Sequence, residues 1–395
     1  MECDTRRRNN SFQRIQNAAG SLQRASAKDY PGATLFEMYL PLISRAGLPV
    51  SGHWAHDEAR TACLLVSLRY EIVTDLAAAE RIVPLWNELL DRSMCNRAFS
   101  SPIWFLAACQ VQPELAPWLS LAWHGESLAG ILPLAVNPVT EAAVFPSTRS
   151  DYNDIVVADG DAASAAALIE CALSEQGRFR SLELQAVRQD SNLAAALAVL
   201  EVRRKLTVRR IPDQEGSYIA LAANRADYLA SRSRIFRKSM NRILRKAAAD
   251  GVAMRELTPA TFPPAKLAAL FFKLHFSRFG DRSAFRREPR HAQFVELALP
   301  DLFADRRLHV FVLQKEEKIV ALDFCFRGVR SLCTWNGGYL PEAACWSPGR
   351  LLLLFGMQRA HELGLEEYDL LRGKQAWKAT WANRNRTLER IVIAL

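Results

Sequence analysis

Ser347-Pro348-Gly349-Arg350 is a run suited to holding an anion. Serine caps helices and proline fits the first helical position. The first turn of a helix leaves backbone N–H groups unpaired, and the dipole adds partial positive charge there. Gly349 removes the side chain that would keep an anion away, and Arg350 adds a full charge. The corner therefore suits a pyrophosphate, although the same four residues also describe an ordinary capped helix. Asp323 stands alone among Ala321, Leu322, Phe324 and Cys325. A carboxylate so placed either has a raised pKa, as a general base at neutral pH requires, or pairs with a buried arginine. Asp369 alternates with apolar neighbours in the same way, and either takes part in catalysis or fixes the turn at Arg372. Arg234, Lys238, Arg242 and Arg245 recur at helical spacing. They form a solvated face, a docking surface for an anionic acceptor, or a tRNA acceptor-stem site. The seven histidines and eight cysteines show no metal-ligand spacing and no C-x-x-C pair. No metal is expected, His275 and His309 read as packed or surface residues, and the thiols read as reduced in a cytoplasmic protein.

These residues need elements to place them. A helix from Pro348 to Leu363, ended by Gly364, carries the corner, and a strand Tyr368 to Leu371 leads into the basic turn Arg372-Gly373-Lys374. Asp323 lies in a hairpin: Arg307 to Leu313, a turn 314–318, and Ile319 to Arg327. Ser331 to Leu340 is a further strand. Asn224 is expected to cap one long helix running to about Asp250, with Phe236, Met240, Ile243 and Ala247 as its apolar stripe and the basic residues opposite. A helix over 265–276 follows Pro263-Pro264. Upstream, the pattern predicts a strand at 67–73, a helix interrupted by Pro84, a helix from Pro102, a hairpin from Trp118 to Val136, a polar loop 150–154, a helix 161–175, a strand 181–184 and a helix 191–200. An alternating strand, Thr387 to Ala394, ends the chain. Residues 1–66 read as a largely disordered tail, with Arg6-Arg7-Arg8 a solvated end and one short helix near Leu35–Ile43.

At 395 residues the chain suits two domains and a tail. Half the residues are apolar and none of the apolar runs reaches ~18 residues, so no transmembrane helix is expected. A net charge of +9 favours an anionic partner. Trp118 to Leu134 and Leu308 to Phe324 share the order strand, polar turn, apolar strand. The expectation is an α/β (α+β) fold with two tandem units, 67–205 and 206–395, each a mixed sheet flanked by helices and packed as a pseudo-dimer.

The order strand 319–327, strand 331–340, helix 348–363, strand 368–371 resembles the acyl-CoA-binding core of the GNAT superfamily. The detailed resemblance is to its CelD/BcsL-type, cellulose- and exopolysaccharide-linked branch (BioF-like acetyltransferases), related to the FemA/FemX aminoacyltransferases. It is carried by Ser347-Pro348-Gly349 with Leu351-Leu352, Glu362-Leu363-Gly364, Tyr368-Asp369-Leu370-Leu371-Arg372-Gly373, and Trp377-Lys378 with Trp381. Ser233 to Lys238, Phe99-Ser100-Ser101 and Ser150-Asp151-Tyr152-Asn153-Asp154 also fit. Gly349 alone matches the superfamily's Gln/Arg-x-x-Gly-x-Gly/Ala phosphate loop, and Trp377 stands where the branch has Tyr.

The resemblance implies a bacterial acyltransferase moving an acyl group from acetyl-CoA or another acyl-CoA to an amine or hydroxyl of a cell-envelope, polysaccharide or related acceptor. Ser347, Gly349 and Arg350 would hold the donor. Asp323, Lys378 and Asp369 would be catalytic, with Lys378 a cation near the reacting carbonyl or donor phosphate. Arg234, Lys238, Arg242, Asp151, Tyr152, Trp335 and Arg372 would face the acceptor in a groove between the units. The partners would be a small-molecule or glycan acceptor and the polysaccharide-synthesis machinery. The rivals are an aminoacyl-tRNA-dependent Fem-like transferase and a GNAT-shaped accessory protein without catalysis.

Overall fold

The computed structural model describes residues 68–146, 150–175, 177–204 and 206–395. The tail 1–66 and its short helix lie outside them. The strands are β1 (Leu68–Val73), β2 (Ala116–His124), β3 (Ser127–Asn137), β4 (Ala142–Val144), β5 (Val156–Val157), β6 (Ser181–Arg188), β7 (Arg209–Pro212), β8 (Gly216–Ala220), β9 (Val252–Leu257), β10 (Leu308–Lys315), β11 (Lys318–Arg327), β12 (Ser331–Tyr339), β13 (Glu367–Arg372), β14 (Arg384–Arg386) and β15 (Leu388–Ala394). The α-helices are α1 (Leu76–Arg81), α2 (Val83–Asp91), α3 (Pro102–Gln110), α4 (Ala162–Ser174), α5 (Asn192–Arg204), α6 (Arg225–Ala230), α7 (Arg234–Ala249), α8 (Leu267–Phe279), α9 (Ala284–Arg287), α10 (Pro289–Ala304), α11 (Pro348–Glu362) and α12 (Ala376–Trp381). They flank two mixed sheets, as expected of an α/β chain with two GNAT-like units.

The two sheets repeat one plan. The first runs β1-β2-β3-β4-β6-β15-β7, and the second, read in the same sense, β9-β10-β11-β12-β13-β8-β14. In each, the hairpin (β2–β3, β10–β11) is antiparallel and one inner pair is parallel, β4–β6 and β12–β13. A helix, α4 or α11, lies between the parallel strands in sequence, as a parallel crossover requires. With the halves divided between β8 and β9, the sixth strand of each sheet comes from the other half of the chain: β15 sits between β6 and β7, and β8 between β13 and β14. Sheet membership therefore departs from a division at 205/206, because β7 and β15 both lie in the first sheet. Hydrophobicity marks β15 as a strand, but only tertiary pairing chooses its sheet.

Apolar packing joins the halves. Phe99 and Trp104, near the start of α3, pack edge-on against Phe326 of β11, and Trp104 also meets Trp335 of β12. Both belong to the same buried cluster as Phe311, Phe324 and Tyr368.

Local chemistry explains the boundaries. Gly125 and Glu316 adopt the positive φ that tight hairpin turns need. The long helix expected from Asn224 is two. Asn224 caps α6, the Ser231 hydroxyl donates back to the Tyr228 carbonyl, and Ser233 starts α7 by accepting from the Phe236 N–H. The apolar stripe is as read, with Phe236, Met240, Ile243 and Ala247 buried. Helices α9 and α10 are additions to the sequence reading. Pro289 opens α10 and Pro300 lies inside it, masking its periodicity.

Candidate functional site

The corner at Ser347 is a helix start without a side-chain cap. Ser347 adopts the left-handed conformation (φ 52°, ψ 60°) and its hydroxyl makes no capping bond, which corrects its expected role. Its carbonyl accepts from the Arg350 and Leu351 N–H groups, at 2.9 and 3.3 Å, so the turn closes through backbone alone. Gly349 is exposed, and a Cβ built there would meet nothing within 4 Å. Arg350 donates to the Ser239 hydroxyl of α7 at 2.9 Å and lies over the Phe236 ring. Burial, and then the neighbouring Arg242, lower its pKa. Helix α7 thus supplies a second guanidinium beside the open first turn of α11, an arrangement that fits a phosphate group.

Strand β12 runs on past its short pairing with β13. Its ladder with β13 covers only Ser331–Cys333 against Glu367–Asp369, while β12 stays paired to β11 out to Tyr339. Beyond Cys333 the β13 side of β12 has no ladder partner among the described residues. Asp323 borders this region. Its carboxylate accepts from the Thr334 hydroxyl at 2.8 Å, and its ladder partner is Gly337. Burial pushes its pKa up to about 6, with Thr334, Cys325 and Arg278 opposing the rise. The reading of Asp323 as a carboxylate of raised pKa fits this geometry, and no arginine pairs with it among the described residues.

The fork where β12 and β13 part is held by a buried network. Asp369 is 0% exposed, and both its oxygens accept from the Tyr152 hydroxyl at 2.9 Å. It also accepts from the Leu371 N–H at 2.7 Å, which fixes Leu371 at φ 61°. Asp369 therefore braces the turn, the second of its two readings. Arg386 stands 3.7 Å from Asp369 and 2.5 Å from Glu367, with its guanidinium 4.0 Å from the Tyr218 ring centre. Lys378 departs from expectation. It is 5% exposed and donates to the Leu371 and Arg372 carbonyls, at 3.1 and 2.5 Å. Burial lowers its pKa against the pull of Asp151 and Asp369. Its ammonium closes the turn from inside and does not face the donor corner.

Arg372 and Asp151, expected to meet acceptor, meet each other. The Arg372 Nε donates to Asp151 at 3.1 Å and an Nη donates to the Ser150 carbonyl at 2.9 Å. Burial raises the Asp151 pKa, and Arg372 holds it down. Together with Tyr152–Asp369, this clamps the first-half loop 150–154 onto β13. Trp335 wedges among Trp104, Phe285 and Phe326. Arg234, Lys238, Arg242 and Arg245 line the exposed face of α7, with no carboxylate partner among the described residues.

Thr334, Arg386 and Gly356 were missed by sequence reasoning. A Cβ at Gly356 would stand 2.4 Å from the Tyr368 hydroxyl, so glycine lets α11 press onto β13. Only the register of β11, β12 and β13 reveals these three.

Residues 234–379 match the family model described as an acetyltransferase (GNAT) domain. No curated protein matches the chain in sequence. Among solved structures, FemX is similar at TM-score 0.55 and 11% identity, over 81% of this chain and 96% of that one. L-PGS of Bacillus licheniformis gives 0.51 and 11%, over 81% and 92%. The C-terminal DUF2156 domain of a proposed lysylphosphatidylglycerol synthetase from Agrobacterium fabrum gives 0.50 and 13%, over 79% and 92%. At these identities the likeness is one of fold. The matched stretch, 234–379, includes Asp323 and the open first turn of α11, and its likeness to an acetyltransferase (GNAT) domain falls in the second of two sheets that repeat one plan.

Proposed function

We propose that the chain is an acyltransferase that takes acyl-CoA as co-substrate and acylates an amine or hydroxyl, with Asp323 as general base. The observation that carries this reading is Asp323 itself, a carboxyl whose pKa burial pushes up to about 6, opposite Gly337 in the stretch of β12 beyond its pairing with β13. Its charged form predominates at neutral pH, yet it binds a proton far better than an ordinary aspartate, as base catalysis needs. The uncapped turn at Gly349, with Arg350 and Arg242, would hold the donor pyrophosphate. The unpaired edge of β12 offers N–H and C=O groups to the amides of the pantetheine arm and N–H groups to a developing oxyanion. Lys378, Asp369, Arg372, Asp151 and Tyr152 position this machinery from behind and touch no donor. A cell-envelope or polysaccharide acceptor, a CelD/BcsL-type assignment and a cytoplasmic setting belong to this proposal. In its support, no helix among the described residues is long and apolar enough to cross a membrane.

Titration with acetyl-CoA and longer acyl-CoAs, read by calorimetry and thermal shift, tests the reading. No binding of any acyl-CoA at millimolar concentration would sink it. A second reading, aminoacyl transfer from charged tRNA, is favoured by the carboxylate-free basic face of α7. Filter binding of charged tRNA, weakened by salt and by charge-removing changes at Arg234, Lys238 and Arg242, would support that alternative.

A further inference from the structure

A cavity of about 160 Å³ opens between the halves. It is walled by the loop before α3, the loop 150–154, the end of β6, and the starts of β12 and β13. It lies on the face of the second sheet opposite Asp323. Asp323 and Thr334 share their face with Cys325, whose sulfur meets the Tyr368 hydroxyl under α11. Cys333 and Asp369 face the other way, towards Asn96 and Tyr152.

The lining surface is about half polar and half apolar, with hydroxyl, amide and charged side chains standing beside Met94 and Val329. One wall group has no partner. The Ser100 hydroxyl oxygen is buried without a hydrogen bond, and the residue is 4% exposed. An unpaired buried hydroxyl costs about 1–3 kcal/mol unless something in the cavity completes it. The volume equals about five waters at ~30 Å³ each, so an occupant is small. Four carboxylates line the walls (Asp154, Asp190, Glu366 and Glu367) against two guanidiniums, Arg188 and Arg330. Arg188 is held by Asp190, and Arg330 stands 3.6 Å from Glu366. An anion therefore meets walls of net negative charge whose guanidiniums are engaged. The carboxylates are engaged too, Glu367 by Arg386 and Asp154 by backbone N–H groups, but a carboxylate can accept more than one proton donor, from hydroxyls or amines.

We propose that this cavity binds a small hydroxyl-rich molecule without negative charge, a polyol of monosaccharide size, gripped by Ser100 and loop 150–154 from one half and Ser331 and Glu366 from the other. The site is separate from Asp323 and concerns binding alone, so it stands whether or not acyl transfer is the chain's activity.

The test titrates the full chain with D-glucose, D-glucosamine and D-glucuronate, read by saturation-transfer NMR and calorimetry. Glucose or glucosamine should bind with Kd of about 1 mM or tighter, and glucuronate at least about tenfold more weakly. Ser100→Leu, which fills the cavity, should weaken the binding sugar at least about tenfold. Glu366→Gln, at an exposed position that leaves the fold intact, should weaken glucosamine about tenfold relative to glucose, as loss of one charge-assisted bond implies. Absence of binding by both sugars, equal binding of glucuronate, or unchanged affinities in both variants would overturn the site.

Discussion

Replacing Asp323 with asparagine should separate stability from catalysis in one substitution. The asparagine oxygen still accepts from the Thr334 hydroxyl, and the side-chain volume is kept, so no cavity forms. The ionisable group is lost. Folding moves the Asp323 pKa from 3.8 to about 6. At 1.36 kcal/mol per unit, the ionised form is disfavoured in the native state by about 3 kcal/mol at most. The sign follows from proton counting. Between about pH 4 and 6 the native chain holds a proton that the unfolded chain has released, so stability falls as pH rises through this window. The Asp323 contribution is complete below about pH 4 and gone above the folded pKa. Asp323→Asn should remove its share of this slope, leaving that of Asp154, which burial also raises to about 6, and should leave the variant more stable at pH 7 by up to about 3 kcal/mol, measured by urea unfolding across pH. Acyl transfer should fall by about 10²–10⁴, and the acidic limb of kcat/KM, centred near pH 6 in the parent, should vanish. Retained activity with an unchanged acidic limb would refute Asp323 as the base. A slope between about pH 4 and 6 that is the same in the parent and in Asp323→Asn would refute the burial that raises its pKa.

Gly349→Trp should raise the KM for acyl-CoA at least tenfold with little change in melting temperature, because the position is exposed and open; steady-state kinetics with thermal melts checks both. Lys378→Ala leaves the Leu371 and Arg372 carbonyls without their buried donor. It should cost about 1–3 kcal/mol of stability by denaturant titration, whereas a lysine acting only at the donor would leave stability unchanged. A chain ending after Arg386 loses β15, whose Leu388, Ile391 and Ile393 are fully buried. At roughly 1.5–3 kcal/mol per side chain the loss rivals a typical total stability of about 5–15 kcal/mol, so circular dichroism should show an unfolded or collapsed first sheet.

The parts of the fold legible in the sequence are those set by local chemistry. The α7 stripe, the two hairpins and the order β11-β12-α11-β13 follow from periodicity, turn residues and the Ser347-Pro348 start. Asp323 is legible for the same reason, as a lone carboxylate in an apolar strand. Lys378 is not. Nothing near it in sequence tells a surface lysine from one whose ammonium closes a turn, because its partners are backbone carbonyls created by the left-handed Leu371. Arg372 and Asp151 look like a substrate-binding pair because both are polar residues in loops. Their neutralisation of each other depends on a contact across 221 positions. Ser347 looks like a side-chain cap because serine favours that place, but its left-handed backbone turns the hydroxyl away from the helix.

The reciprocal exchange of β8 and β15 gives these misreadings a common cause. Each half places its last strand in the other sheet, so the loop after β13 cannot be arranged by the second half alone. Tyr152 and Asp151 come from the first half, while Asp369, Arg372 and Arg386 come from the second. The polar residues that resembled a substrate surface are the fastening of that exchange. The fastening lies at the fork between β12 and β13, beside the stretch of β12 to which the proposed function assigns the donor. Charged groups committed there to one another keep the fork open at a fixed rung. Asp323, on the opposite face, accepts from the Thr334 hydroxyl and the Cys325 thiol and has no arginine pair among the described residues.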